Sequence, residues 1–151
     1  MNISLDLIKK LRLATAAGVS DCRQALEDAG GDYEKAKKLL VALGVEKAAK
    51  KADRQTTSGL IESYVHGGKV GVLVEVRCET DFVARTDEFK SLAHEVALQV
   101  AAMNPKDAKA LLASPYIRDP KLTIEALVKQ TIAKLGENIT LGKFTRIVLG
   151  E

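Results

Sequence analysis

The sequence predicts an α+β protein: a three-helix N-terminal module, then a three-stranded antiparallel sheet covered by helices. Three observations carry that expectation. Apolar residues recur at helical three-to-four spacing from Leu5 to Leu43. The pattern then changes to strict alternation on either side of a Gly67-Gly68 pair, and a long helical stripe follows it. A length of 151 residues suits one mid-sized domain or two small ones.

The elements follow in order. Ser4 can cap a first helix with Leu5, Ile8, Leu11 and Thr15 on one stripe, broken at Gly18. Ser20 can cap a second, carrying Cys22, Ala25, Leu26 and Ala29 before a Gly30-Gly31 stop. Asp32 caps a third, with Ala36, Leu39, Leu40 and Leu43 inward and Gly44 as its stop signal. Helices this short do not persist alone, so the three must pack on one another. Val45 to Arg54 is charged and alanine-rich, a linker, and the boundary falls near residue 54: a module over 1–54 and an α+β domain over 55–151. Leu60–His66 and Val70–Cys78 read as a hairpin, the glycine pair supplying the positive φ of a tight turn. Val72, Val74, Val76 and Cys78 share one strand face. Asp87–Met103 offers the cover, with Phe89, Leu92, Ala93, Val96, Val100 and Met103 along one side up to Asn104-Pro105. A short helix near Lys106–Ala113 and proline-punctuated chain lead to an amphipathic helix from Ile124 to Leu135, closed by Gly136. Gly142–Leu149 is the third strand, which a marginal two-stranded hairpin requires.

Composition narrows the function classes. The chain is 46% hydrophobic and 28% charged with a net charge of +3, ordinary for a folded domain and too small to announce a nucleic-acid binder. No segment approaches the roughly 20 apolar residues that cross a bilayer, and the N-terminus has no signal-peptide pattern, so a soluble cytoplasmic protein is expected. Cys22 and Cys78 form no metal-type spacing, and the only histidines, His66 and His94, are far apart. No phosphate-binding loop, dinucleotide fingerprint, zinc-protease motif or nucleophile elbow is present. Gly67, Gly68 and Gly71 flank a hairpin instead of opening a helix. Cys78 shares its face with three valines and reads as inert, and His94 lies off its helix's apolar stripe. Neither an active site nor a metal or cofactor site is expected.

One segment stands out. Glu79-Thr80-Asp81-Phe82-Val83-Ala84-Arg85 joins strand to helix and puts an aromatic residue where connections normally carry polar side chains. Either Thr80 or Asp81 caps a helical turn and Phe82 folds onto the core, or Phe82 projects outward as an anchor beside Asp81.

The run Thr80-Asp81-Phe82-Val83-Ala84 resembles the signature of the elongation factor Ts family, guanine-nucleotide exchange factors for elongation factor Tu. Leu11-Arg12 with Thr15-Ala16-Ala17-Gly18, then Asp21-Cys22-Arg23-Gln24-Ala25-Leu26, resemble that family's N-terminal motif, and Ala133 to Ile139 resembles its tail motif. The resemblance implies a module like a ubiquitin-associated domain, docking on the nucleotide domain of elongation factor Tu through Arg12, Val19 and Ser20. It implies that Thr80, Asp81, Phe82 and Val83 form the exchange loop, with Phe82 wedging near the partner's magnesium and phosphate site. It also implies that the loop bearing His66 and Gly67 reaches another domain of that partner. Read from local pattern alone, Val19 is a hydrophobic staple before a Ser20 cap and His66 an exposed turn residue. Three departures from longer family members stand out: a single core unit, no helical-hairpin insertion between Asn104 and Tyr116, and no C-terminal appendage. Ala16 also stands where glycine is usual. The resemblance further implies a homodimer, in which Phe82 of one protomer and His66 of the other serve one partner molecule. The alternatives are a non-catalytic module for a peptide or ubiquitin-like partner, and a ribosome- or RNA-associated protein using Lys47, Lys50, Lys51 and Arg54.

Overall fold

The computed structural model describes residues 2–151. Three helices come first: α1 (Leu5–Thr15), α2 (Val19–Asp28) and α3 (Tyr33–Ala49). A hairpin of β1 (Ser58–His66) and β2 (Val70–Cys78) follows, then the single-turn α4 (Asp81–Ala84) and the long α5 (Asp87–Met103). The chain continues through α6 (Ala108–Ala113), a small hairpin of β3 (Pro115–Tyr116) and β4 (Asp119–Thr123), α7 (Ile124–Leu135) and β5 (Ile139–Val148). The main sheet is antiparallel in the order β1-β2-β5, so β2 is central. The α+β architecture is the one the sequence predicts.

Two apolar clusters form. Ile8, Leu11, Cys22, Ala25, Leu26, Ala36 and Leu40 join the first three helices. The larger cluster packs Val72, Val74, Val76 and Cys78 against Phe89, Leu92, Val96 and Val100 of α5, with Ile124, Val128 and Ile132 of α7 beside them. Phe89 is fully buried, and a side chain of that size contributes about 1.5–3 kcal/mol on leaving water. Gln99 is also fully buried: its amide donates to Ser114 Oγ (3.0 Å) and Pro115 O (2.8 Å) and accepts from Ile117 N (3.0 Å), pinning the small hairpin to α5.

Several local expectations need correction. Helix α1 ends on Ala16, which takes a left-handed φ of 53°, and not at Gly18. Gly18 is instead the extended N-cap of α2, which places Ser20 inside the helix and makes Val19 its first residue, not a staple. Leu39 is exposed, whereas Ala36 and Leu40 turn inward. Gly44 does not end α3; the helix runs on to Ala49, and Ala48 enters the larger cluster. A Cβ on Gly44 would stand 3.2 Å from the Ala133 Cβ, so this glycine marks the close approach of α3 to α7. The proline-rich stretch pairs as a hairpin because Pro115 and Pro120 sit where no ladder donor is needed. Strand β5 begins at Ile139, three residues before Gly142, and a bulge opposite Glu75 reverses its alternation: Ile139 and Leu141 precede it inward, and Phe144 and Arg146 follow it inward.

Replacing Gly44 with leucine is expected to destabilise the fold by about 1–3 kcal/mol through overpacking against α7. Urea denaturation with an unchanged slope checks this.

Candidate partner-binding site

The sheet delivers the chain to the site. Cys78 is the last residue of β2 and is buried, with its thiol donating to Thr80 O at 3.1 Å. Burial pushes that thiol's pKa up, and the charge of Glu137 adds to the effect, so a thiolate is disfavoured. Burial likewise raises Cys22. Both cysteines are free and buried.

Thr80 then takes extended backbone and caps α4, its hydroxyl accepting from Val83 N at 3.4 Å. With Ala84 buried and Val83 half-buried against the core, the helical turn points Phe82 away: it is 83% exposed. Asp81 is exposed beside it. Of the two sequence readings, the outward one describes this ring. Thr86 caps the next helix, its hydroxyl accepting from Phe89 N at 3.2 Å and donating to Val83 O at 2.7 Å, so both ends of the short turn are tied down.

The loop is also held from across the sheet. Glu137 accepts from Thr80 N (3.0 Å) and from Thr80 Oγ1 (2.7 Å). In return Asn138 N donates to Glu79 Oε1 at 2.8 Å. The buried Asn138 side-chain amide donates to Ala52 O (3.3 Å) and Arg54 O (2.8 Å), and Arg54 lies 3.5 Å from Glu79. Glu137 and Asn138 fall within the Ala133 to Ile139 tail motif, and no role for either follows from the sequence. The only local signal was an acid and an amide directly after the Gly136 helix stop, where a turn needs neither.

The other candidates lie elsewhere. Arg12 is exposed in the last turn of α1, and Val19 (49% exposed) and Ser20 open α2, so the three flank one helix junction. His66 and Gly67 are exposed at the far end of the hairpin. Gly67 and Gly68 have φ of 56° and 69°, and Lys69 N donates to His66 O at 3.0 Å to close the turn. The His66 Nδ1 lies 3.0 Å from the Tyr64 hydroxyl. Ser58 pairs with Cys78 and His66 with Val70, so the length of a strand, roughly 26 Å at ~3.3 Å per residue, separates this turn from the Phe82 loop. One protomer therefore presents them at opposite ends.

Each linker cation has an intramolecular partner: Lys47 with Asp21 at 2.7 Å, Lys50 with Glu46 at 3.1 Å, Arg54 with Glu79 at 3.5 Å, and Lys51 Nζ donating to Lys47 O at 3.3 Å. Among the described residues, no group of three or more His, Cys, Asp or Glu side chains is arranged to hold a metal ion. No described helix is long and apolar enough to cross a membrane.

Because Phe82 lies outside both apolar clusters, Phe82→Ala is expected to leave folding stability within about 0.5 kcal/mol of wild type. A thermal melt checks this.

Comparison with known proteins covers both the site loop and the whole chain. The family model described as Elongation factor TS matches residues 79–151, a span that includes Thr80 to Val83 and Glu137. The chain is 43% identical to elongation factor Ts of Coprothermobacter proteolyticus, all of both chains being covered. It is 43% identical to elongation factor Ts of Thermotoga petrophila, covering 100% of this chain and 98% of the relative, and 39% identical to that of Carboxydothermus hydrogenoformans, covering 99% and 90%. The first of these alignments runs over 197 positions against 151 residues here, so the relative has interior segments without a counterpart in this chain. With likeness of this degree from end to end and the exposed loop inside the matched span, the chain belongs to the elongation factor Ts family.

Proposed function

We propose that this translation elongation factor promotes release of GDP from elongation factor Tu by inserting the Thr80–Val83 loop near the partner's magnesium and phosphate site. The observation that carries the reading is Phe82, an aromatic side chain 83% exposed on a turn tied down at both ends. An exposed ring on a fixed backbone meets a partner's pocket with little ordering cost. The mechanism is linkage. A factor that binds the nucleotide-free partner better than the GDP-bound one weakens GDP binding by the same coupling energy. Bound GDP depends on magnesium and on backbone amides around its phosphates, so a small displacement there costs much affinity. Phe82 supplies the displacement, Asp81 acts electrostatically beside the metal, and no covalent step is involved. The two proposed units divide the work: residues 1–54 dock through Arg12, Val19 and Ser20, and residues 55–151 carry the lever.

In this reading the second contact, through His66 and Gly67, comes from a second protomer, this turn and Phe82 lying at opposite ends of one hairpin. The sheet face opposite α5 supports a twofold homodimer. Ile61, Val65, Leu73 and Ile147 are all exposed on it, and Val65 and Ile147 flank the side-chain-free Gly71 in one cross-strand row. Beside them Glu75 and Arg77 form an ion pair, a polar rim such as isologous interfaces use. The intramolecular partners of the linker cations tell against RNA binding.

Mixing the chain with elongation factor Tu loaded with fluorescent GDP is expected to accelerate release. Phe82→Ala is expected to cut that acceleration by roughly 5- to 150-fold, the range of a typical coupling energy, while binding to the nucleotide-free partner weakens less. Equal release with and without the chain would leave a bare binding module. Light scattering at tens of micromolar is expected to show a dimer for wild type and a monomer for Leu73→Glu; a wild-type monomer removes the two-protomer arrangement.

A further inference from the structure

The two segments that meet behind the exposed loop exchange hydrogen bonds symmetrically. The Thr80 backbone donates to the side chain of Glu137, and the Asn138 backbone donates to the side chain of Glu79. Each segment thus gives one main-chain donor and one carboxylate to the other. A carboxylate receiving two hydrogen bonds from one residue fixes that residue's orientation as well as its position. The Thr80 hydroxyl donates to Glu137 at 2.7 Å, which leaves its oxygen lone pair turned toward Val83 N at 3.4 Å. Rotation of the hydroxyl away from either partner would lose the other. Thr80 is therefore held in the extended conformation that starts the α4 turn, and that turn sets the direction of Phe82.

From this geometry we infer that Glu137 is the positioning residue of the exchange loop, aiming Phe82 by clamping Thr80 from the turn between α7 and β5. Glu137 does not touch the partner in this scheme; it acts through Thr80. Asn138 extends the clamp to the linker, since its amide holds Ala52 O and Arg54 O. The linker and the exchange loop are thereby anchored on two adjacent residues. The inference rests on the exchange reading given above and deepens it.

Two measurements test it, one of them independent of activity. In the free chain, Glu137→Ala is expected to speed amide hydrogen exchange at Thr80 and Val83 at least about tenfold, while Val76 in the central strand keeps its wild-type protection. Unchanged exchange at Thr80 and Val83 overturns the clamp. In the release assay, Glu137→Ala is expected to lower the maximal rate at saturating factor by about tenfold or more, with the half-saturating concentration moving less than about threefold. Glu137→Gln keeps one acceptor for Thr80 N and a donor for its hydroxyl oxygen, and is expected to recover the rate to within about threefold of wild type. If Glu137→Ala is too unstable to assay, Glu137→Asp, whose shorter side chain cannot reach both Thr80 donors, takes its place with changes expected in the same direction. A wild-type maximal rate in the variant, with Phe82→Ala impaired beside it, sinks the positioning role and leaves the exchange reading standing. No acceleration by wild type sinks the exchange reading itself, and the hydrogen-exchange result then decides the clamp alone.

Discussion

Val72, Val74, Val76 and Cys78 line one face of the central strand and must be kept from water, and the placing of nearly everything else follows from that need. β2 is paired on both edges, and the main cover of its face comes from α5 in the chain that leaves its end, with α7 beside it. That chain must reverse over the sheet quickly enough to lay Phe89, Leu92, Val96 and Val100 on the valine row. A single helical turn makes the reversal, with Ala84 and Val83 facing the core. A turn that short has no room to face every side chain inward, and Asp81 and Phe82 are left outside. The exposed ring is thus a by-product of the reversal that the core demands, and a natural place for a partner-directed group to arise.

Besides Ala48 in the large cluster and the Arg54–Glu79 pair, two contacts of different character join the N-terminal helices and linker to this core. One is steric: Gly44 lets α3 approach α7 closely enough that an added Cβ would crowd Ala133. The other is polar: the buried Asn138 amide donates to the Ala52 and Arg54 carbonyls in the turns that follow α3. A steric contact sets distance and a hydrogen-bonded one sets direction. Together they restrict how far the module can swing without either opening a gap or stranding a buried amide, a penalty of about 1–3 kcal/mol.

The long periodic elements were legible in the sequence because their patterns match their burial. α5 and β2 fall on the expected residues, and the valine face and helix stripe meet as anticipated. What failed was punctuation. Gly18 and Gly44 looked like helix stops, but one caps the following helix and the other serves packing against a helix far away in sequence. The start of β5 was hidden by a bulge that reverses the phase of its alternation. The small hairpin was hidden because its anchors, Gln99 and Glu95, are polar residues on another element. The loop of Thr80 to Val83 could be singled out for its misplaced aromatic residue, whereas Glu137 acts across a long sequence separation that no local spacing encodes.

Ala16 shows how one small residue can settle a balance between two states of the chain. It closes α1 with φ at 53°, a conformation that a Cβ makes unfavourable in the native fold. Alanine also has fewer conformations to give up than glycine when the chain orders, which offsets part of that strain from the unfolded side. The junction between the first two helices, where Arg12 and Val19 sit, is accordingly closed by a residue with fewer backbone options than glycine. Glycine in its place would reach that φ without strain and leave the corner between α1 and α2 freer to vary.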